Sequence, residues 1–164
     1  MKTRTLGNST LNISEISLGC MSLPPIEADV KQVIDAAIDA GITYFDTADL
    51  YDRGENEKVV GHALKEHRHN ILLATKVGNR WEDGKDGWSW DTSADYINEA
   101  VRSSLQRLQT DYIDVYQLHG GTTEDNWEEI IDTFEGLKKQ GLIRAYGISS
   151  IRPNVFLPFL QTST

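Results

Sequence analysis

The segment GITYFDTADLYDRGENEKVVGHAL, residues 41–64, carries the pattern of strand, loop and helix that decides the fold. Its apolar opening over 42–46 predicts a strand, and the stretch 55–66 predicts an amphipathic helix. A strand that runs into such a helix is the repeating unit of parallel α/β folds, because the chain must cross back before the next parallel strand begins. The apolar side of this helix comprises Val59, Val60, Ala63 and Leu64.

The same unit recurs on both sides of this segment. Five short runs predict strands, and most are apolar and rich in β-branched residues, as strands buried on both faces are. Their bounds are Glu15 to Cys20, Ile42 to Asp46, Ile71 to Lys76, Tyr112 to His119, and Ile143 to Ser149. Helices are predicted over Ala28 to Ala40, Glu55 to Glu66, Ala94 to Gln109, and from a capping pair at Asp125 and Glu128 to Gly141. The apolar stripe of the first helix is Val30, Val33, Ile34, Ala37 and Ile38.

These elements predict that residues 1–164 are the N-terminal portion of a single α/β domain. Residues 1–14 predict a β-hairpin that caps the domain, and residues 15–150 hold the five strand and helix units. Residues 151–164 predict the start of a further helix, which Pro153 can open.

A long loop is predicted over residues 77–93, which follow the third strand without periodicity. It contains three tryptophans, Trp81, Trp88 and Trp90. Two interpretations stay open for them, because aromatic side chains can either wall a substrate pocket or pin a long loop in place.

Composition narrows the classes of function. The 164 residues are 39% hydrophobic and 25% charged, which is typical of one soluble globular domain. Cys20 is the only cysteine, so a disulfide scaffold is excluded and a reducing cytoplasm is favoured. The 25 acidic residues outnumber 16 basic ones and disfavour a nucleic-acid partner. No apolar run has the roughly 18 residues of a membrane span, and residues 1–12 lack the apolar region of a secretory signal, so we expect neither membrane insertion nor secretion.

Polar side chains gather where the predicted strands end. The carboxyl ends of parallel strands meet at one edge of a sheet, which is where active sites of such folds form. Taken singly, each side chain has an ordinary structural explanation, such as helix capping for an aspartate or packing for a tyrosine. Their coincidence at one edge favours an active site. The set comprises Asp46, Tyr51, Lys76, His119, Ser149 and Ser150.

The residue types at this edge also suit one chemistry. An ammonium beside a tyrosine hydroxyl stabilises the phenolate and so eases proton transfer, a role available to Lys76 beside Tyr51. Asp46 would hold that ammonium by a charge-assisted hydrogen bond, and His119 would donate a hydrogen bond to a carbonyl oxygen. A polarised carbonyl beside an acid is a site for hydride delivery to an aldehyde or ketone.

Three stretches resemble the aldo-keto reductase family: residues 41–64, LLATKVG over 72–78, and DYIDVYQLH over 111–119. The resemblance covers nearly all residues from the hairpin to Ser150. It implies a (β/α)8 TIM barrel of which this chain holds the first five strands, and reduction of a small-molecule carbonyl substrate with NADPH. It implies that Tyr51 is the general acid, that Lys76 and Asp46 tune it, and that His119 orients the carbonyl.

The resemblance also implies a set of cofactor contacts. Ser149 and Ser150 stand where the family has a serine and asparagine pair that holds the nicotinamide amide, so the second position departs from the pattern. Neither a G-x-G-x-x-G nor a P-loop motif occurs in the chain, and NADPH rests on the resemblance alone. The remaining contacts it implies are Gly19, Cys20 and Met21 at the cofactor's border, with Asp46 and Gln117 near the nicotinamide and ribose.

Two rival functions stay open. A metal-dependent barrel hydrolase would place a divalent ion among Asp46, Asp49, Asp52 and His119, although a lysine among these acids would neutralise the charge that a cation needs. A cofactor-binding regulatory or scaffold subunit, or an inactive fragment, would keep the barrel without turnover. No metal site is predicted.

The number of predicted strands carries a further expectation. A barrel of this kind needs roughly 250 residues and eight strands. We therefore expect the chain to be one portion of a longer reductase that, by itself, neither binds NADPH tightly nor turns over. Its first and fifth strands would then be unpaired edges, which favour self-association.

Overall fold

The computed structural model describes residues 1–82 and 84–163, whose strands form three sheets. An antiparallel hairpin comes first, made of β1 (Thr3–Thr5) and β2 (Asn12–Ser14). The central sheet is parallel, and its strands are β3 (Leu18–Gly19), β4 (Tyr44–Asp46), β5 (Leu72–Val77), β8 (Ile113–His119) and β9 (Ile143–Ser149). A second small hairpin pairs β6 (Asn79–Arg80) with β7 (Ser89–Trp90).

Helices connect the parallel strands. The α-helices are α1 (Glu27–Asp39), α2 (Glu55–Leu64), α3 (Ala94–Leu108), α4 (Trp127–Lys139) and α5 (Phe156–Thr162). Three 3₁₀ segments, Tyr51–Gly54, Lys65–Asn70 and Pro153–Val155, adjoin α2 on both sides and precede α5. Every strand of the central sheet lies beside the next one in sequence, in the order β3, β4, β5, β8, β9. This succession of adjacent parallel strands is that of consecutive units of a (β/α)8 barrel, and it confirms the predicted fold class.

The two faces of the sheet have different partners because side chains alternate along a strand. On one face Phe45, Leu73 and Tyr116 are buried in the main core beneath the helices. On the other face Tyr44 and Val115 belong to a smaller cluster that Leu11 and Ala74 complete, and Leu11 comes from the hairpin. The hairpin thus covers the inner face of the sheet near the amino ends of the strands, as a cap would.

Several local predictions are wrong in detail. The apolar pattern predicts Val33 in the buried stripe of α1, but 40% of its surface is exposed. The buried face of this helix, formed by Val30, Ile34 and Ala37, is therefore narrower than the apolar pattern predicts. The cap of α4 is Asn126, which accepts from the Glu129 amide, one residue later than the predicted pair of Asp125 and Glu128. Asp125 is used elsewhere, as an acceptor for Thr122 N–H and for the indole of a loop tryptophan.

Helices α2 and α3 approach each other at a glycine. A Cβ added to Gly61 would lie 2.5 Å from the Cα of Leu108 and 2.6 Å from its carbonyl carbon and oxygen. These are backbone atoms of α3, which cannot turn aside as a side chain can. The contact sets how closely α2 packs, and α2 follows directly on the segment that carries Tyr51.

We expect Gly61→Ala to lower the free energy of unfolding by about 1–3 kcal/mol, because overpacking against backbone forces the helices apart. Gly136 in α4 is the matched control, since a Cβ there meets nothing within 4 Å. Gly136→Ala should raise stability by about 0.5–1 kcal/mol through the loss of glycine's conformational freedom. Urea unfolding followed by circular dichroism measures both, and equal effects of the two changes would contradict the close helix contact.

Candidate active site

Lys76, Asp46 and Tyr51 meet at the carboxyl edge of the sheet. The Lys76 Nζ donates to Asp46 Oδ1 at 2.6 Å and to the Thr47 carbonyl at 2.7 Å, and lies 3.3 Å from the Tyr51 hydroxyl. The lysine is buried, with 4% of its surface exposed. Asp46 ends β4, Lys76 is the penultimate residue of β5, and the alternation of side chains points both to the same face of the sheet. The predicted cluster of these three side chains is therefore present.

His119 stands beside Tyr51 at the end of β8. The two rings are edge to face, with their centroids 5.8 Å apart. Burial, and secondarily the Lys76 ammonium, lower the pKa of His119 to about 4, so the imidazole is neutral near pH 7. Its Nδ1 is buried without a hydrogen-bond partner among the described residues. With Nδ1 buried in this way, the neutral imidazole can use its other nitrogen to hydrogen-bond a molecule in the adjoining pocket.

The backbone after Tyr51 takes an unusual path. Asp52, Arg53 and Gly54 have φ values of 48°, 52° and 83°, so three successive residues are left-handed. Only glycine adopts this region without strain, and a Cβ on Gly54 would also meet the Arg107 side chain at 2.7 Å. Strain of this kind persists where surrounding contacts over-determine the backbone, and it is frequent at functional sites. This tight turn directly follows Tyr51, whose hydroxyl lies 3.3 Å from Lys76 Nζ.

The predicted cofactor residues differ in their accessibility. Cys20 is fully buried, and its amide and carbonyl bond to Asp46 and Asn56, so neither its thiol nor its backbone faces the site. Burial raises the pKa of this thiol to about 12. Gly19 and Met21 on either side are exposed and remain open to contact. Any contact of this segment with a bound molecule therefore falls to Gly19 and Met21.

The other cofactor candidates lie on the same edge. Gln117 is partly exposed, adjacent to Lys76 in the β5 and β8 register, and among residues 1–82 and 84–163 its carboxamide has no protein partner. Ser149 ends β9 beside His119. Ser150 follows it, and its hydroxyl accepts from the Arg152 amide at 3.1 Å.

A pocket of about 550 Å³ opens over His119. Trp90 forms one wall, and its indole edge fits against two glycines, since a Cβ on Gly78 or Gly120 would lie 3.1 or 3.0 Å from the ring. The indole N–H of Trp90 donates to Asp125 at 2.9 Å. The lining is completed by Leu50, Asn79, Trp88, Gly121, Thr122, Ser149, Ser150, Ile151 and Arg152.

The three loop tryptophans have different roles. Trp90 both walls the pocket and fastens the loop. Trp81 pins the loop, because its indole N–H donates to the Asp49 carbonyl at 3.0 Å. Trp88 lines the pocket with 57% of its surface exposed. The β6 and β7 hairpin gives the predicted loop some regular structure that its sequence pattern did not indicate.

The sequence interpretation missed several residues that shape this site. Thr47 supplies a carbonyl to Lys76, Asn56 bonds to Thr47, and Asn79 donates to the His119 carbonyl at 3.1 Å. Backbone acceptors leave no signal in a sequence. The asparagines were detectable only as polar residues beside otherwise apolar helix and strand positions.

Asp49 is buried in the loop that carries Tyr51. It is 2% exposed, and its Oδ1 has no hydrogen-bond partner in the described part of the chain. Burial, followed by the charge of Glu57, raises the pKa of Asp49 to about 8, although Arg107 acts in the opposite direction. The carboxyl is therefore neutral near pH 7.

The ligand set of the rival metal hydrolase is not assembled. Asp46 is engaged by Lys76, and Asp49 is a buried, protonated acid. Among the residues that the structure describes, no group of three or more His, Cys, Asp or Glu side chains is arranged to hold a metal ion. In the same residues no helix combines the length and apolar character needed to cross a bilayer.

Comparison with known proteins identifies a family. The model of the aldo/keto reductase family matches residues 15–156. The uncharacterized oxidoreductase YqkF of Bacillus subtilis is 60% identical over 163 residues, which cover 99% of this chain and 53% of that protein. The aldo-keto reductase yakc [NADP(+)] of Schizosaccharomyces pombe is 35% identical over 93% of this chain and 46% of its own length. The chain spans about half the length of the curated relatives it matches.

Solved structures agree with the sequence relatives. The holo form of aldo-keto reductase AKR11C1 from Bacillus halodurans superposes with a TM-score of 0.97 and 58% identity, over 100% of this chain and 55% of that one. The glycerol dehydrogenase AKR11B4 from Gluconobacter oxydans superposes with a TM-score of 0.83 and 31% identity, over 98% of this chain and 52% of that one.

We expect Asp49→Asn to stabilise the natural polypeptide increasingly as pH rises. The folded pKa of about 8 lies above the unfolded value, so the carboxyl's contribution to stability is complete below about pH 3.9 and is lost as pH rises through 8. An amide does not ionise, so the advantage of the variant should grow by at most about 1.4 kcal/mol per pH unit across this window.

Urea unfolding at pH 5, 6, 7 and 8 provides the measurement. Asp52→Asn is the matched control, because Asp52 is an exposed carboxylate three residues away on the same loop. The same pH dependence in both variants would show that burial of Asp49 is not its cause.

Proposed function

The chain belongs to the aldo/keto reductase family of oxidoreductases, and from this membership we propose that it carries the catalytic side chains of an NADPH-dependent reductase of aldehydes or ketones. The single observation that carries the proposal is the contact of one buried ammonium, that of Lys76, with both the Asp46 carboxylate and the Tyr51 hydroxyl. A tyrosine with a fixed ammonium beside it is suited to transfer a proton.

Tyr51 donates that proton to the carbonyl oxygen as the oxygen gains negative charge. Lys76 stabilises the phenolate left behind, since an adjacent positive charge favours the ionised hydroxyl. Asp46 keeps the ammonium in position at 2.6 Å. Asp46 and Lys76 thus act on the substrate only through Tyr51, whose ring lies beside that of His119 at the pocket.

His119 orients the substrate carbonyl. Its pKa of about 4 keeps the imidazole neutral in the physiological range, so it acts as a hydrogen-bond donor and not as a charged acid. Half of the residues that line the pocket above it have polar side chains, but most of the surface that they expose there is apolar, and Trp88, Trp90, Leu50 and Ile151 contribute the apolar groups. Such a lining favours a carbonyl compound with an apolar body.

The residues present fit a nicotinamide cofactor. Gln117 and Ser149 offer an amide and a hydroxyl at the carboxyl edge of the sheet, where Gln117 pairs with Lys76 and Ser149 pairs with His119. A carboxamide ring is held by donors and acceptors of these types. When bound, the nicotinamide supplies the hydride for the carbonyl carbon. The phosphorylated form of the cofactor is favoured by the name of the S. pombe relative, which specifies NADP(+).

We expect Tyr51→Phe to reduce carbonyl turnover by about 10²–10⁴-fold, because the ring remains but its proton is lost. NADPH affinity should stay within a few fold, since the hydroxyl acts in the chemical step. The rate of nitrobenzaldehyde reduction at varied NADPH concentrations, measured with the protein at its natural length, gives both the turnover and the NADPH affinity.

Tyr112→Phe is the matched control for this experiment. The Tyr112 ring lies under the Arg68 guanidinium at 3.9 Å, at the amino end of β8 and far from His119. Its loss of a hydroxyl should leave turnover unchanged. Turnover by Tyr51→Phe comparable to that of Tyr112→Phe would exclude Tyr51 as the acid, and no reduction of any carbonyl by the parent would favour the non-catalytic alternative.

A further inference from the structure

A buried hydrogen bond closes the loop that carries Tyr51. The Thr47 hydroxyl, at the start of the loop, donates to Asn56 Oδ1 at 2.6 Å, at the loop's end in the first turn of α2. Both residues are almost fully buried, with 0% and 1% of their surfaces exposed. Within this closed segment lie the left-handed residues after Tyr51, which depend on fixed ends to keep their conformation.

The same two residues connect the loop to its neighbours. The Thr47 carbonyl accepts from Lys76 Nζ at 2.7 Å, and Asn56 Nδ2 donates to the Cys20 carbonyl at 2.8 Å. A continuous chain of hydrogen bonds thus runs from Cys20 through Asn56 and Thr47 to Lys76. Each bond in it is short and shielded from water.

We propose that Thr47 and Asn56 are positioning residues, whose side-chain hydrogen bond holds the Thr47 carbonyl where it seats the Lys76 ammonium against the Tyr51 hydroxyl. The proposal rests on the proposed function in one respect, because it takes Tyr51 as the proton donor. Neither residue contacts a reacting atom, so their effect is exerted through Lys76.

The polar groups of both residues match this task. Asn56 uses its oxygen to accept and its nitrogen to donate, so its two contacts need an amide and cannot both be made by a carboxylate. Thr47 has a fixed direction because its amide donates to the Ala74 carbonyl of β5 at 2.9 Å. The hydrogen bonds of its amide and of its hydroxyl thus fix the position of the Thr47 carbonyl. Lys76 can then point one N–H at this carbonyl and the other two at Asp46 and Tyr51 in only one way.

Four titratable side chains near Lys76 interact with its charge and must stay unchanged in a test of its position. Asp46 and Tyr51 contact the ammonium directly. The imidazole of His119 on β8 and the thiol of Cys20 after β3 also experience its charge. A change confined to Thr47 leaves all four side chains intact, which makes its effect on proton transfer interpretable.

The decisive comparison uses two threonines. Thr75 is also 0% exposed, and its hydroxyl donates at 2.6 Å to the next residue of α2, Glu57. Thr47→Val and Thr75→Val each remove one buried hydroxyl hydrogen bond to the same helix, the first to an amide and the second to a carboxylate, but only the first disturbs the acceptor of Lys76. Thr47→Ser keeps the hydroxyl and tests rescue by a conservative change.

The experiment has two readouts in the natural polypeptide. The first is the pH profile of kcat for NADPH-dependent reduction of nitrobenzaldehyde. The second is ultraviolet difference titration of tyrosinate without cofactor, with Tyr51→Phe counterparts used to isolate the Tyr51 signal. A loosened ammonium stabilises the phenolate less, so the ionisation of the Tyr51 hydroxyl should move to higher pH.

We expect Thr47→Val to lower kcat about tenfold and to move its alkaline limb and the Tyr51 titration upward by about 0.5–1 pH unit. Thr47→Ser should restore most of kcat and the parent titration. Thr75→Val should lower thermal stability without either shift. Equal shifts in both valine variants, or none in Thr47→Val, would overturn the proposal.

The titration separates the two proposals. If the parent reduces no carbonyl but the Tyr51 titration still moves in Thr47→Val, the proposed function fails while the positioning role stands. If turnover depends on Tyr51 but the Tyr51 titration is unchanged in Thr47→Val, the positioning role fails while the proposed function stands.

Discussion

The arrangement of the site depends on the need to satisfy one buried ammonium. Lys76 Nζ has three donors, and Asp46, Thr47 and Tyr51 supply three oxygens within 2.6–3.3 Å. Loss of a charged partner would leave a buried charge uncompensated, which typically costs about 3–5 kcal/mol. The ends of β4 and β5 and the loop after β4 therefore cannot move independently. The geometry suited to proton transfer is also the geometry that keeps this charge bound.

A second buried charge explains why α2 is fixed behind the loop. Glu57 is fully buried and accepts from Thr75, Ser104 and Arg107, so one carboxylate joins α2 to β5 and α3. Arg107 is committed to Glu57 at 2.7 Å. Asp49 lies near the same guanidinium, but burial raises its pKa, the negative charge of Glu57 raises it further, and Arg107 offsets only part of this. The neutral state of Asp49 thus follows first from its burial and then from the charge of Glu57.

The sequence predicts the parallel sheet well because strands buried on both faces have nearly continuous apolar runs. β9 has the predicted bounds of Ile143–Ser149, and the other strands lie within or close to theirs. Residues at strand ends were predictable as site candidates because chain order alone places them on one edge. The burial of Cys20 could not be predicted from the sequence, since the residues around it, such as Asn56, which donates to its carbonyl, are distant along the chain.

Side-chain partners across loops account for most of the remaining differences. The N-cap of α4 is Asn126 because Asp125 already accepts hydrogen bonds from Thr122 and Trp90. Asp and Asn are both good N-cap residues, so the local sequence does not show which of the two neighbours caps the helix. The hairpin of β6 and β7 is two residues long on each side, too short for an alternation to be visible.

The position of Trp90 shows how the loop and the pocket depend on each other. A Cβ on Gly78 or Gly120 would crowd its ring, and its indole N–H donates to Asp125 of a following loop. Glycine at 120 has a φ of 120°, so the backbone next to His119 is itself shaped to admit the ring. Trp90 therefore both walls the pocket and pins the loop, so the two interpretations of the loop tryptophans hold together for this residue. The hydrogen bond to Asp125 holds the Trp90 ring in the pocket lining. Ile151 lines the same pocket, but 98% of its surface is exposed, so the two apolar residues of the lining differ in how firmly the fold holds them.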